Sequence, residues 1–341
     1  MDQSTDTASP QAQILRITGQ LLPTRCIGIA AELGLADHLA KRPMSTEELA
    51  SVCGAHAPSL FRMLRFLASI DIFHQEDNGT FRNTPASDVL REGVPGSLRP
   101  MVRLAWQDVV WDTYRAMPTA MQNGTPAFTI AHGRPFFEHL AAEQEIGALF
   151  DASMALMSGP ENDVIAKTYP FGEAETVVDV GGGRGGLLGA VLTEHLNLSG
   201  VLFDQQHVIA EPTYLEDAGV LDRCELISGD FFSSVHAGGD IYMLKRILHD
   251  WSDADAVRIL SSIRTAMSPE SRVAVIDAVL KPGNDADPNK YLDVGIMTLL
   301  EGRERTVEEF ETIFTEAGLQ VLRILPTPAP STMSIIEGAL A

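Results

Sequence analysis

The sequence predicts an α/β domain preceded by an all-helical segment that ends in a winged helix. Two observations predict this. From about residue 170, short apolar runs alternate with helical stretches, the pattern of a parallel sheet covered on both faces. Before that, the first 95 residues read helix, turn, helix, hairpin, which is the element order of a winged helix. The length of 341 residues suits about two domains at roughly 150 residues each.

The elements follow in chain order. Residues 11–40 read as helix, with Ile14, Leu15, Leu21, Leu22, Ile27 and Ile29 apolar and Pro23 interrupting. So many apolar positions on a terminal helical segment require a partner surface. Ser45-Thr46-Glu47-Glu48 is a capping box that opens a helix. Residues 57–70 form the next, and Asn78-Gly79 is the turn of a hairpin. Residues 96–165 read as further helices, broken at Pro118, Gly124-Thr125-Pro126 and Gly133-Arg134-Pro135. Strands are expected at 176–180, 200–204, 224–228, 240–244 and 272–279, with two more near 319–325 and 333–338 that form a terminal hairpin. The chain divides into residues 1–95, residues 96–165 as linking helices, and residues 166–341 as the α/β domain.

Composition narrows the function. The net charge is −21, which repels polyphosphate and acidic membrane surfaces. A winged helix invites a DNA-binding reading, and the second helix of the motif does carry Arg62 and Arg65. Residues 1–165 nevertheless hold 12 Lys+Arg against 19 Asp+Glu, without a basic stripe, so no nucleic-acid partner is expected. Three scattered cysteines fit a reducing, cytoplasmic setting and no disulfide framework. No apolar run approaches a membrane span, and the polar residues 1–10 have no leader pattern. The eight histidines other than His249 show no metal spacing, so no metal site is expected.

Ligands of open α/β sheets bind at the carboxyl ends of the strands. Each consecutive strand of this sheet delivers an ionisable residue there: Asp179, Asp204, Asp230, Lys245 with His249, and Asp277. Gly181, Gly183 and Gly186 match G-x-G-x-x-G, a loop that lets a ligand approach the backbone. Asp204 suits a ribose diol, because a carboxylate accepts two hydroxyl hydrogens. Both features fit a nicotinamide cofactor as well as S-adenosylmethionine. Three others favour the sulfonium. Asp179 would repel a pyrophosphate but attract a cationic amino acid moiety. Asp230 offers a carboxylate to an adenine amino group, beside a Phe231 ring that can pack on the base. The terminal strands read as an antiparallel hairpin.

DVGGGRGG, GDFF, LKRILHDWSD and GRERTVEEF, in this order, resemble the small-molecule O-methyltransferases. Those are the plant caffeate and flavonoid enzymes and the bacterial enzymes that methylate polyketides, phenazines and other natural products. The resemblance covers nearly the whole chain. It implies a Rossmann-like class I methyltransferase domain, an N-terminal dimerisation domain and a homodimer. It implies S-adenosylmethionine contacts from Gly181, Asp204, Asp230, Phe231 and Lys245, and His249 as general base. The acids flanking that histidine correspond to Asp277 and Glu304. Met154 and Ser158 fall where a helix closes over the cofactor. The sequence departs from the family at Arg184, where a small or polar residue is usual, and at Asp277, where plant members carry Glu.

Methyl transfer from a sulfonium is an in-line displacement. The protein must align the reactants and remove a hydroxyl proton, and a histidine near neutral pKa suits the second task. Asp277 is the first choice for orienting the imidazole and Glu304 the second. Asp250 and Asp253 are expected to stabilise the N-terminus of the following helix, Trp251 to be core and Arg305 to be structural. Trp106 and Met154 among the linking helices, and Met297 within 292–300, are expected to shape the substrate pocket. The alternative function is an S-adenosylmethionine-bound tailoring enzyme with other chemistry, hydroxylation or decarboxylation.

Overall fold

A computed structural model describes residues 9–341; the N-terminal stretch read as lacking a leader lies almost wholly outside them. The chain forms two compact units. One runs up to Trp111 and includes Leu140–Leu156; the other comprises Asp112–His139 and Met157–Ala341. The segment 96–165 is therefore divided between them.

In the first unit, the long N-terminal helical stretch is three helices, Pro10–Thr18, Leu21–Glu32 and Leu35–Leu39. Pro23 sits in the first turn of the second, where the missing N–H has no intrahelical partner to lose. The capping box forms as its sequence dictates: Ser45 Oγ accepts from Glu48 N–H, and the Glu48 carboxylate accepts from Ser45 N–H at 2.8 Å. In the helix Ala57–Ala68, Leu60, Leu64 and Leu67 lie on one buried face and leave Arg62 and Arg65 exposed. Strands β1 (Phe73–Gln75) and β2 (Phe81–Asn83) pair antiparallel across Asn78-Gly79, and Phe81 also bridges Met44. Leu35, Leu49, Leu64, Leu67, Phe73 and Phe81 form the centre of this unit's core. Pro10–Thr18 buries none of its residues, and Leu15 and Leu22 are 70% and 67% exposed.

The second unit is built on a seven-stranded sheet. Its strands are β3 (Thr176–Val180), β4 (Ser199–Asp204), β5 (Cys224–Ser228), β6 (Ile241–Lys245), β7 (Arg272–Asp277), β8 (Leu319–Pro326) and β9 (Ser334–Leu340), in the order β5-β4-β3-β6-β7-β9-β8. The first five run parallel. β9 pairs antiparallel with β7 and with β8, the terminal hairpin expected from the turn-forming residues 327–332. Alternate side chains go to opposite faces, which is why these strands read as continuous apolar runs. Val177, Met243 and Ile276 enter one core with Leu188 and Ile165. Val178, Val180, Leu244 and Val275 enter the other with Ile259 and Phe310.

Pro118 does not break its helix: Asp108–Asn123 carries it inside, as Gln144–Thr168 carries Pro160. A proline costs the interior one hydrogen bond, and each helix continues for more than a turn on both sides of it. The breaks at Gly124 and Gly133 occur as expected, with Gly133 in the left-handed region at φ 69°. No helix among the described residues is long and apolar enough to cross a membrane.

Candidate active site

The parallel strands all end on one edge, and that edge carries the ionisable residues. β3 runs out through Asp179 into the glycine loop. Gly181, Gly183 and Gly185 all have positive φ, and the helix Gly186–Glu194 follows. A Cβ on Gly182 would stand 2.5 Å from the Asp179 carboxylate, so the loop can close onto that acid only with glycine there. Asp204, at the end of β4, accepts from Gly183 N–H at 2.9 Å and from Gln205 N–H at 2.7 Å. The carboxylate and the loop thus fix each other. Asp179 is fully buried, and its Oδ2 has no hydrogen-bond partner. Burial and the neighbouring Asp204 charge push its carboxyl up to about 7. A buried oxygen without a partner is costly unless a ligand donor or cation completes it.

β6 ends at Lys245. Its Nζ donates to Asn162 Oδ1 at 2.6 Å and to Ser158 O at 3.4 Å, and lies 3.4 Å from Glu161 Oε2. Burial and the adjacent Arg246 charge outweigh Glu161 and bring the Lys245 ammonium down to about 8. Arg246, in the left-handed region at φ 56°, binds both oxygens of Glu161 at 3.0 and 3.2 Å. Lys245 and Ser158, far apart in sequence, are therefore brought together. Glu161 and Asn162 were not singled out in the sequence. The spacing of Ser158 to Glu161 and Asn162, three and four residues on one helix face, was the signal available.

His249 lies in the short 3-10 turn Leu248–Asp250 and is 6% exposed. Its Nδ1 is 2.8 Å from Glu304 Oε1, a carboxylate that can only accept, so Nδ1 carries the hydrogen and Nε2 is the site that gains or loses a proton. Asp250 Oδ1 stands 3.4 Å from Nε2. Desolvation alone would lower the imidazole pKa; the Glu304 bond and the charges of Asp277 and Asp250 outweigh it and raise it to about 9. The order of preference between the two acids is reversed. Glu304 makes the hydrogen bond, whereas both oxygens of the fully buried Asp277 are without partners. Asp277, one strand over from the histidine, is held by β7 and acts through its charge. Burial and the charges of Glu304 and Asp250 push its carboxyl up to about 7. Asp250 also differs from expectation. It faces the imidazole, and the cap of the helix Asp253–Ala266 is Ser252 Oγ accepting from Asp255 N–H.

A family model described as an O-methyltransferase domain matches residues 114–320, and an O-methyltransferase dimerisation domain matches residues 15–93. The chain belongs to the O-methyltransferase family. It is 38% identical to a phenazine O-methyltransferase of Lysobacter antibioticus, over 97% of this chain and 96% of that protein. The solved mitomycin 7-O-methyltransferase superposes with a TM-score of 0.91 at 33% identity, covering 97% of this chain and 98% of the other. An O-methyltransferase from neocarzinostatin biosynthesis, solved with S-adenosylmethionine and 2-hydroxy-5-methyl naphthoic acid, gives 0.83 at 32%, covering 96% and 98%. Methyltransferases of this family use S-adenosylmethionine. The residues here fit that cofactor: the partnerless Asp179 oxygen suits a cation, and Gly183 has open space where a Cβ would stand.

The remaining predicted residues are placed as follows. Asp230 follows β5 and is exposed; it accepts from Phe232 N–H and Ser233 Oγ, which fixes the turn that presents Phe231. Phe231 and Phe232 pack edge-on against Trp251, at centroid distances of 6.1 and 4.7 Å. Met297 is exposed on the helix Pro288–Leu299 with Val294 and Tyr291, the last 84% exposed, three residues apart along one face. Trp106 and Met154 belong to the first unit. There Trp106 is buried, tilted on Trp111 at 4.9 Å and covered by the Arg25 guanidinium at 5.1 Å. Among the described residues, no group of three His, Cys, Asp or Glu is placed to hold a metal ion.

Proposed function

We propose that this enzyme methylates a hydroxyl of an aromatic or polycyclic small molecule in secondary metabolism, with His249 as general base and Glu304 as its orienting acid. The observation that carries the reading is the His249 Nδ1 to Glu304 bond at 2.8 Å, which sets the tautomer and leaves Nε2 to take the acceptor's proton. Gly181, Asp204, Asp230, Phe231, Lys245 and Ser158 are the residues that would hold the cofactor, with Asp179 behind the loop. Bound S-adenosylmethionine supplies an electrophilic methyl group. His249 removes the hydroxyl proton as the oxygen attacks, since a free phenol near 10 is poorly ionised at neutral pH. Glu304, Asp250 and Asp277 then stabilise the imidazolium. The exposed apolar face of Tyr291, Val294 and Met297 suits a planar, apolar acceptor. The enzyme works as a cytoplasmic homodimer.

His249→Ala should cut methyl transfer to a phenol by about 10²–10⁴-fold while leaving S-adenosylmethionine affinity, measured calorimetrically, unchanged. A phenol already ionised at the assay pH should recover much of the loss. Some relatives methylate nitrogen, so the acceptor panel includes an aromatic amine. Wild-type turnover by His249→Ala at pH 7 would overturn the base assignment.

A further inference from the structure

The segment Gly302–Thr306 holds His249 and its neighbours in several independent ways, of which the proposed chemistry uses only Glu304. A Cβ on Gly302 would stand 2.0 Å from the His249 carbonyl oxygen and 2.4 Å from the Asp250 carbonyl carbon, so this loop lies directly on the backbone of the base. Arg305 is fully buried. Its Nη1 donates to Leu248 O at 2.8 Å, its Nη2 to Trp251 O at 3.0 Å, and its Nε to Asp253 Oδ1 at 2.9 Å. The two carbonyls stand on either side of His249-Asp250; that of Leu248 also accepts from Trp251 N–H at 3.3 Å, so the guanidinium is its second donor and ties the closed turn to the loop. The backbone of Arg305 is anchored as well: its carbonyl accepts from Leu280 N–H at 2.9 Å, just past β7.

A guanidinium is costly to bury, and a methionine of similar size would pack without that cost. What the guanidinium adds is geometry, a rigid fork that reaches two carbonyls and a carboxylate at once. We propose that Arg305 is a positioning residue for His249. It ties the turn that carries the imidazole to the loop that carries Glu304, so that base and orienting acid share one frame. It does this through Leu248 and Trp251, without touching the reacting atoms. The inference rests on the reading of His249 as the base.

Two variants test it. Arg305→Lys keeps the charge but loses the fork. Asp253→Ala, at a half-exposed anchor, removes the carboxylate that orients the fork, leaving it only its carbonyl acceptors, without altering the buried core, and serves should the first fail to fold. Both are assayed with S-adenosylmethionine and two phenols, one neutral and one ionised at the assay pH, alongside His249→Ala. The expected result is unchanged cofactor affinity and a roughly ten- to hundredfold fall in kcat on the neutral phenol, the scale set by misplacing a reacting group by about 1 Å. The ionised phenol should be nearly spared. Equal loss on both phenols, no loss on either, or a loss that tracks cofactor affinity would overturn the proposal. If His249→Ala itself fails to discriminate the phenols, the base reading falls; if it discriminates and the other two variants do not, only the role of Arg305 falls.

Discussion

At the scale of single residues, the decisive feature is one imidazole among three buried or half-buried carboxyls. They hold His249 protonated up to about pH 9. The neutral, base-competent form therefore grows as pH rises, and kcat/KM for an acceptor that does not itself titrate should climb toward pH 9. Stability should run the other way. His249 binds its proton more tightly folded than unfolded, so its contribution is complete below about 6.5 and is lost as pH rises through about 9. Asp179 and Asp277, pushed up to about 7, and Asp250, pushed up to about 6, lose theirs on rising from about pH 4 to those values. The melting temperature should accordingly fall between pH 6 and 9 while the rate rises. Glu304→Gln removes the charge and leaves only a neutral amide oxygen to accept from Nδ1–H. Its pH–rate limb should move to lower pH with a reduced maximum; an unmoved limb would show that Glu304 does not govern the imidazole. This much of the site was partly legible. The strand ends pointed to Asp179, Asp204 and Asp277, and the motif to His249 and Glu304. Choosing between Asp277 and Glu304 was not, because both flank the histidine and only side-chain reach decides which of them hydrogen-bonds.

At the scale of elements, the sheet was the most legible part, since its inner strands, buried on both faces, must be largely apolar. All seven strands of the sheet appear within two residues of their expected limits. Helix interruptions were read less well. Pro118 looked like a break because propensity is local, yet the helix continues through it and ends only at Asn123. The glycine loop combines both kinds of information, and two substitutions separate them. Gly183 has φ 61° and open space where a Cβ would go, so Gly183→Ala pays only the left-handed backbone cost of about 1–2 kcal/mol. Gly182 needs no positive φ, yet its Cβ would meet Asp179 at 2.5 Å and Leu202 Cδ1 at 2.6 Å. Gly182→Ala should therefore be the more damaging, displacing the loop from the acid and weakening S-adenosylmethionine binding more than Gly183→Ala does. Calorimetric titration and thermal melts of the two variants check this order; the reverse order would mean that backbone conformation, not the close approach to Asp179, shapes the loop.

At the scale of the whole molecule, the unresolved demand is the apolar N-terminal face. Ile14, Leu15, Ile17, Leu21 and Leu22 are all more than half exposed, on helices whose segment matches a dimerisation domain from residue 15 onward. Apolar side chains clustered this way are rare on the surface of a monomer, and a second copy of the chain is the partner that covers them in the proposed homodimer. The net charge of −21 opposes that pairing, because each copy repels the other over the whole surface. The apolar face itself carries little charge: between Pro10 and Glu32 only Arg16, Arg25 and Glu32 are ionised. Repulsion is long-ranged and screened by salt, with a Debye length of about 30 Å at 0.01 M falling to about 10 Å at 0.1 M, whereas the apolar contact is short-ranged and insensitive to screening. Dimerisation should therefore tighten as salt rises over that range, the opposite of what an interface held by ion pairs would do. Light scattering and sedimentation across concentration check the assembly and its salt dependence. The double variant Leu15→Glu and Leu22→Glu should be monomeric at micromolar concentration and still bind S-adenosylmethionine, since the residues proposed to hold the cofactor all lie in the second unit. A wild-type monomer at that concentration, or a dimer that weakens with salt, would show that this face is not what joins two copies.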